Sequence, residues 1–253
     1  MRILSLMLFT LLLPLAVFPM KDGSELIAAM NKKYAGKWYR TMTFVQKTTT
    51  YKPDGTSEAA TWYEAMSVPG KLRIDIAPEE KGNGVIFADG RMYSFRDGEP
   101  AASRELVHPL LVLGFDVYAQ PAEKTAEQLR SLGIDLSVIR QDKWQGRAVY
   151  VVGAKAGDLS SPQFWVDKKN LYFVRLIEAR GPAEKKSIHE TQFNKYERLK
   201  GGWVAPEVIF FVDGKKTMLE EYSDVQADIE LAADLWDPAA WMTASRDYYK
   251  PRK

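Results

Sequence analysis

From Gln163 to Ile229 the chain reads as a nearly unbroken series of strands, and this stretch limits the fold more than any other. Gln163-Phe164-Trp165-Val166 and Leu171 to Ile177 are rich in aromatic and β-branched residues. They flank the polar turn Asp167-Lys168-Lys169-Asn170, which predicts a hairpin. Lys186 to Tyr196, Trp203 to Val212 and Lys216 to Ile229 continue the pattern. Gly201-Gly202 and Asp213-Gly214 supply the breaks, because Gly tolerates positive φ. No helix-length apolar pattern interrupts the run. The expectation is a long antiparallel meander. Such a sheet needs something apolar on its inner face, and what fills that space bears directly on function.

The upstream chain adds strands and a few helices. Asp22-Gly23-Ser24-Glu25 has capping-box spacing, and Leu26, Ala29, Met30 and Lys33 recur at helical spacing before Gly36. Trp38 to Tyr51 and Thr56 to Val68 pair as a hairpin around Pro53-Asp54-Gly55. Trp38, Met42 and Phe44 share a face on the first of these, as do Ala60, Trp62, Met66 and Val68 on the second. Leu72, Ile74 and Ile76 alternate with Arg73 and Asp75 in a clean two-residue period. Val85 to Ala88 and Arg91 to Arg96 form another hairpin around Asp89-Gly90. Ser103 to Ala119 then departs from strand character. It is too apolar for an exposed loop, and Pro109 disturbs any regular element, so it reads as a short, broken helix facing something buried. Pro121 to Leu132 is a second helix ending at Gly133, and Val138 to Lys143 and Arg147 to Ala154 return to strand. Near the C-terminus, Asp234 to Trp241 reads as a docking segment in which Pro238 starts a turn and Trp236 and Trp241 act as apolar plugs.

Several function classes are disfavoured. Cysteine is absent, so disulfides, thiolate chemistry and Cys-ligated metals are excluded. A net charge of +2, with both signs spread along the chain, offers no basic stripe for nucleic acid. His108 and His189 are the only histidines, and His189-Glu190 lacks a second histidine at zinc-site spacing. No nucleophile elbow or phosphate-binding loop occurs, and Lys81-Gly82-Asn83-Gly84 is explained by a turn. Of the carboxylates Glu58, Glu64, Asp75, Glu190, Glu207, Glu220 and Glu221, most are expected to face solvent. Neither a catalytic centre nor a metal or cofactor site is expected. Arg2 followed by the apolar run Ile3 to Phe18 has the layout of a signal peptide. The run is short for a membrane span of about 20 residues, so residues 1–20 are expected to direct export and residues 21–253 to form one domain.

The order of motifs resembles the LolA/LolB-like superfamily, the periplasmic lipoprotein carriers of Gram-negative bacteria and their relatives. It is nearest to the divergent outer-membrane lipoprotein-sorting proteins. Phe44-Val45-Gln46-Lys47 matches a Phe-x-Gln stretch, Pro69 to Ile74 a Pro-x-x-hydrophobic-x-hydrophobic strand, and Ala88 to Tyr93 an Asp-Gly-Lys hairpin. Leu106 to Phe115 falls where the family carries lid helices. Phe164 to Ile177 matches its central hairpin, and Leu235-Trp236-Asp237-Pro238 its closing segment. The resemblance implies a mainly β fold, an incomplete antiparallel β-barrel closed by short helices, with an apolar cavity for acyl chains. It implies a monomeric periplasmic carrier, not an enzyme, whose partners are lipid or lipoprotein acyl chains and membrane-bound donor and acceptor proteins. A lipid- or lipoprotein-sensing regulatory protein with a protein partner is the alternative. On the carrier reading Met42, Phe44, Trp62, Met66, Leu72 and Ile74 form the cavity wall, and Leu106, Leu110, Leu111 and Leu113 the lid. One departure stands out: Val68 occupies the position of a family arginine that holds the lid.

Overall fold

The computed structural model describes residues 20–249, so the expected export segment lies outside them. A capped helix, α1 (Gly23–Tyr34), comes first. The Asp22 carboxylate accepts the Glu25 amide at 2.8 Å, and Leu26, Ile27, Met30 and Tyr34 are buried. Six strands follow: β1 (Thr41–Tyr51), β2 (Ser57–Ser67), β3 (Lys71–Ile76), β4 (Asn83–Ala88), β5 (Arg91–Arg96) and β6 (Glu99–Glu105). Two helices, α2 (Pro109–Gly114) and α3 (Ala122–Ser131), are separated by a 3-10 turn over Asp116–Tyr118. The rest is strand: β7 (Ile139–Trp144), β8 (Arg147–Val152), β9 (Gln163–Asp167), β10 (Phe173–Arg180), β11 (Ser187–Asn194), β12 (Glu197–Leu199), β13 (Gly202–Val204), β14 (Glu207–Val212) and β15 (Lys215–Ala227).

Thirteen of these strands form one antiparallel sheet in the order β6-β5-β4-β3-β2-β1-β15-β14-β11-β10-β9-β8-β7, while β12 and β13 pair as a separate ribbon. Each half is a meander, as the turn chemistry requires. At the β4–β5 reversal, for example, Asp89 and Gly90 both have positive φ, 51° and 75°. The halves are zipped together by β1 and β15, from Met42 opposite Ala227 to Thr50 opposite Met218. This order puts β6 and β7 on opposite edges although they follow one another in the chain. The connection must therefore cross the sheet, and α2 and α3 lie on that crossing. The result is a curled, unclosed sheet with its concave side covered by short helices, an incomplete barrel.

Three details differ from the sequence expectation. The run Trp203 to Val212 is two strands, because Pro206 has no amide to donate and ends the pairing of β13 before β14 begins. β6 was not foreseen, since every one of its residues is exposed and it carries no alternation to read. On the convex face, Arg73 and Asp75 are fully buried instead of solvated. The segment after β15 lies over them, with Leu235 and Trp241 as the buried plugs, while Trp236 is only half-buried. The Arg73 guanidinium donates twice to Asp75, at 2.8 and 3.0 Å, and to the Trp241 carbonyl at 2.7 Å, and it stacks 4.1 Å from the Trp241 ring. Arg246 and the Tyr248 hydroxyl complete the shell around Asp75. A side chain at Gly84 would meet the Ile74 carbonyl at 2.0 Å and Trp241 at 2.8 Å, so only glycine lets Trp241 seat there.

Candidate ligand cavity

The barrel interior is filled at one end and hollow at the other. At the α1 end, Trp38 stacks on Tyr118 at 3.8 Å, Tyr34 packs edge-on against both, and the Tyr118 hydroxyl accepts the Phe173 amide at 3.0 Å. Asn31 on α1 donates to the carbonyls of Val117 and Gln120 at 3.2 and 2.8 Å, fixing the crossing segment to that plug. Toward α2 the packing stops, and a cavity of about 280 Å³ remains.

Strand register decides which side chains face this cavity. Opposed pairs run Met42–Met66, Phe44–Glu64 and Gln46–Trp62 between β1 and β2, and Gln46–Tyr222, Thr48–Glu220 and Thr50–Met218 between β1 and β15. The lining combines Phe44, Trp62, Met66, Leu72 and Ile74 with Leu110 and Leu111 from α2, Phe115, and apolar residues of β4, β11, β14 and β15. Met42 is fully buried just outside it, and Leu113 points into the core. Leu106 borders a second, outer space of about 660 Å³. That vestibule shares Phe87, His108, Leu110, Phe210 and Met218 with the cavity, so the two adjoin beneath α2.

The inner wall also holds polar groups that composition did not reveal. Glu64 and Glu220 line the cavity and are buried, exceptions to the expectation that most of the carboxylates face solvent. Burial pushes the Glu64 carboxyl well above the usual carboxylate range, and the neighbouring Glu220 charge pushes it the same way. Glu220 is raised by burial to about 7, opposed by hydrogen bonds from Tyr222 and Gln46. The period of β2 carried the signal for Glu64: it sits between Trp62 and Met66 on the inward face. His108 is the N-cap of α2, and its Nδ1 accepts the Leu111 amide at 3.2 Å. Burial lowers its pKa to about 4, so the ring is neutral and able to accept at neutral pH. His189 borders the vestibule. Among the described residues no group of three or more His, Asp or Glu converges to hold a metal ion.

No family model matches the sequence, and no curated protein matches it significantly. Solved structures do. A DUF1329 family protein from Desulfovibrio piger superposes with a TM-score of 0.58 at 13% identity, over 87% of this chain and 97% of that one. An outer membrane lipoprotein-sorting protein domain from Vibrio parahaemolyticus gives 0.58 at 11% identity, over 87% and 97%. A LolA superfamily protein from Nitrosomonas europaea gives 0.52 at 11% identity, over 83% and 96%. The fold is LolA-like. At such identities the likeness is one of architecture.

The segment that follows α2 is fixed to the sheet near Val68. Val68 is buried among apolar neighbours. Two residues on, the Gly70 amide donates to Asp116 Oδ1 at 2.8 Å. Asp116 sits just after α2, so this bond ties the end of the α2 segment to the β2–β3 turn. Burial raises the Asp116 carboxyl to about 7, with the Gly70 hydrogen bond opposing the shift. Sequence reasoning missed Asp116 because an acidic residue after an apolar run reads as a surface group.

Proposed function

We propose that this protein binds acyl chains of lipids or lipoproteins in the cavity beneath α2 and carries them across the cell envelope. The supporting observation is a cavity of about 280 Å³, walled mainly by apolar side chains and roofed by a six-residue helix. Cavities of this kind are the usual sites for small apolar ligands. On this reading Phe44, Trp62, Met66, Leu72 and Ile74 are the wall, with Met42 supporting it from the core. Leu110 and Leu111 are the lid, Leu106 lines the entrance and Leu113 anchors α2. Each methylene buried contributes roughly 0.8 kcal/mol, and ordering the chain and lid offsets part of that, which leaves binding reversible. The protein acts as a carrier and not an enzyme, works in the periplasm, and exchanges cargo with membrane-bound donor and acceptor proteins.

Titration of delipidated protein with an uncharged naphthylamine dye tests the proposal, together with Leu111→Asp. The substitution puts a charge over the apolar space, where an unpaired carboxylate is costly. The expected result is micromolar binding by wild type and a loss of tenfold or more in the variant, about 1.4 kcal/mol, with a melting temperature within a few degrees of wild type. A wild type that binds no apolar probe after delipidation, combined with a strongly destabilised variant, would make α2 permanent core and end the carrier reading. Native mass spectrometry of protein purified from periplasm checks the cargo directly through co-purified lipid.

A further inference from the structure

The cavity contains two carboxyl groups and no cation. None of its lining residues is Lys or Arg, and its one histidine, His108, is neutral and already accepts the Leu111 amide. Glu220 is provided for: the Tyr222 hydroxyl donates to it at 3.3 Å, and Gln46, whose amide also donates to Thr48 at 2.7 Å, bonds it as well. Glu64 has no such help. It is 5% exposed, lines the cavity, and accepts no hydrogen bond from any described residue. The register puts Glu64 opposite Phe44 and Glu220 opposite Thr48, so the two carboxyls flank β1 with Gln46 between them.

A carboxyl that opens onto an apolar cavity with no protein donor is costly to keep there, whether it is held neutral or ionised. An all-apolar wall would hold a plain acyl chain as well and would not carry this cost. The pair becomes intelligible if the occupant supplies the missing donor and charge. We propose that the cavity takes an apolar chain bearing an amine, with its ammonium seated at Glu64 on the side of the cavity wall that also carries Glu220. This rests on the reading of the cavity as a ligand site and names what that site selects. An ammonium gives Glu64 both the donor and the counter-charge it lacks. A fatty-acid carboxylate in the same place adds a buried negative charge with no cation in the wall to pair it, and an alcohol brings a donor without the charge. Phe44, Trp62 and Met218 around the pair hold the chain and not the head.

Displacement of the uncharged naphthylamine dye by dodecylamine, dodecanol and dodecanoate, near neutral pH, tests the assignment in wild type and in the Glu64→Gln/Glu220→Gln variant. The three competitors share one chain and differ only in the head group. In wild type the amine should bind tenfold or more tighter than the alcohol, and the carboxylate weakest. In the variant the ratio of amine to alcohol should fall to near one. The dye also reports whether the variant keeps a folded cavity. Equal binding of amine and alcohol in wild type, or a preference that survives in the variant, overturns the head-group assignment and leaves the apolar cavity standing. Failure of wild type to bind the dye and all three competitors overturns both.

Discussion

Glu64 and Glu220 show how a single residue in the wrong medium becomes informative. In the unfolded chain each titrates near 4.5, while in the folded protein Glu64 is well above that and Glu220 is at about 7. Below 4.5 both states hold their protons and these groups contribute their full share of stability. Above it the unfolded chain releases protons that the fold retains, so stability falls as pH rises through the window from 4.5 to about 7. Urea melts of wild type and the Glu64→Gln/Glu220→Gln variant at about pH 5 and about pH 8 should differ in slope. Wild type should lose on the order of 2–3 kcal/mol more than the variant across that range. Parallel losses would mean that neither carboxyl is held neutral by the fold. Glu64 was legible in the sequence through the alternation of β2, whereas Glu220 was not, because β15 itself carries Lys215, Lys216, Glu221 and Asp224 and reads as a solvated strand.

Two elements owe their position to single contacts far apart in sequence. The end of the α2 segment is tied down by the hydrogen bond from Gly70 to Asp116. Asp116→Ala leaves a part-buried amide without an acceptor and should cost about 1–3 kcal/mol, with faster hydrogen exchange concentrated in α2. Asp116→Asn keeps an oxygen in the same place and should stay near wild type. Loss of protection spread evenly over the sheet would argue against a local latch. The C-terminal segment is clamped by Arg73, which joins Asp75 to the carbonyl of Trp241. Arg73→Met leaves the buried Asp75 with Arg246 and the Tyr248 hydroxyl as remaining partners and should cost ~1–3 kcal/mol, and Arg73→Met/Asp75→Leu should lose less than the sum of the two single changes. Thermal melts of the four members of this cycle measure the coupling.

For the molecule as a whole, leaving the barrel open creates two free edges. β6 carries Glu99, Pro100, Arg104 and Glu105 with every residue exposed, and β7 carries Arg140, Asp142 and Lys143. Charge and proline make such edges poor templates for pairing with another chain. Replacing Glu99, Arg104 and Glu105 together by Val should leave the monomer's circular dichroism unchanged but promote concentration-dependent association, visible by light scattering. A triple variant that stays monomeric at high concentration would show that the crossing segment, and not edge charge, protects the sheet. An open barrel also allows one end to be plugged by the Trp38–Tyr118 stack while the other stays hollow, because α1 and α2 meet the sheet at different places.

Local chemistry in the sequence determined the strands, their turns and their order. Two-residue alternation marks one face of each strand, and Pro-Asp-Gly and Asp-Gly reversals set antiparallel neighbours within about two residues of where they occur. Those same patterns placed Phe44, Trp62, Met66, Leu72 and Ile74 on a common side. Tertiary structure alone decided what covers each side. Alternation says which way a side chain points, but not whether water, another element or empty space meets it there. Arg73 and Asp75 read as solvated until a segment some 160 residues later in the chain lies over them. Met42 reads as cavity wall, yet it is fully buried in the main core and does not line the cavity. The cavity itself, and the unpartnered carboxyl in its wall, exist because the crossing from β6 to β7 fills one end of the sheet and only roofs the other.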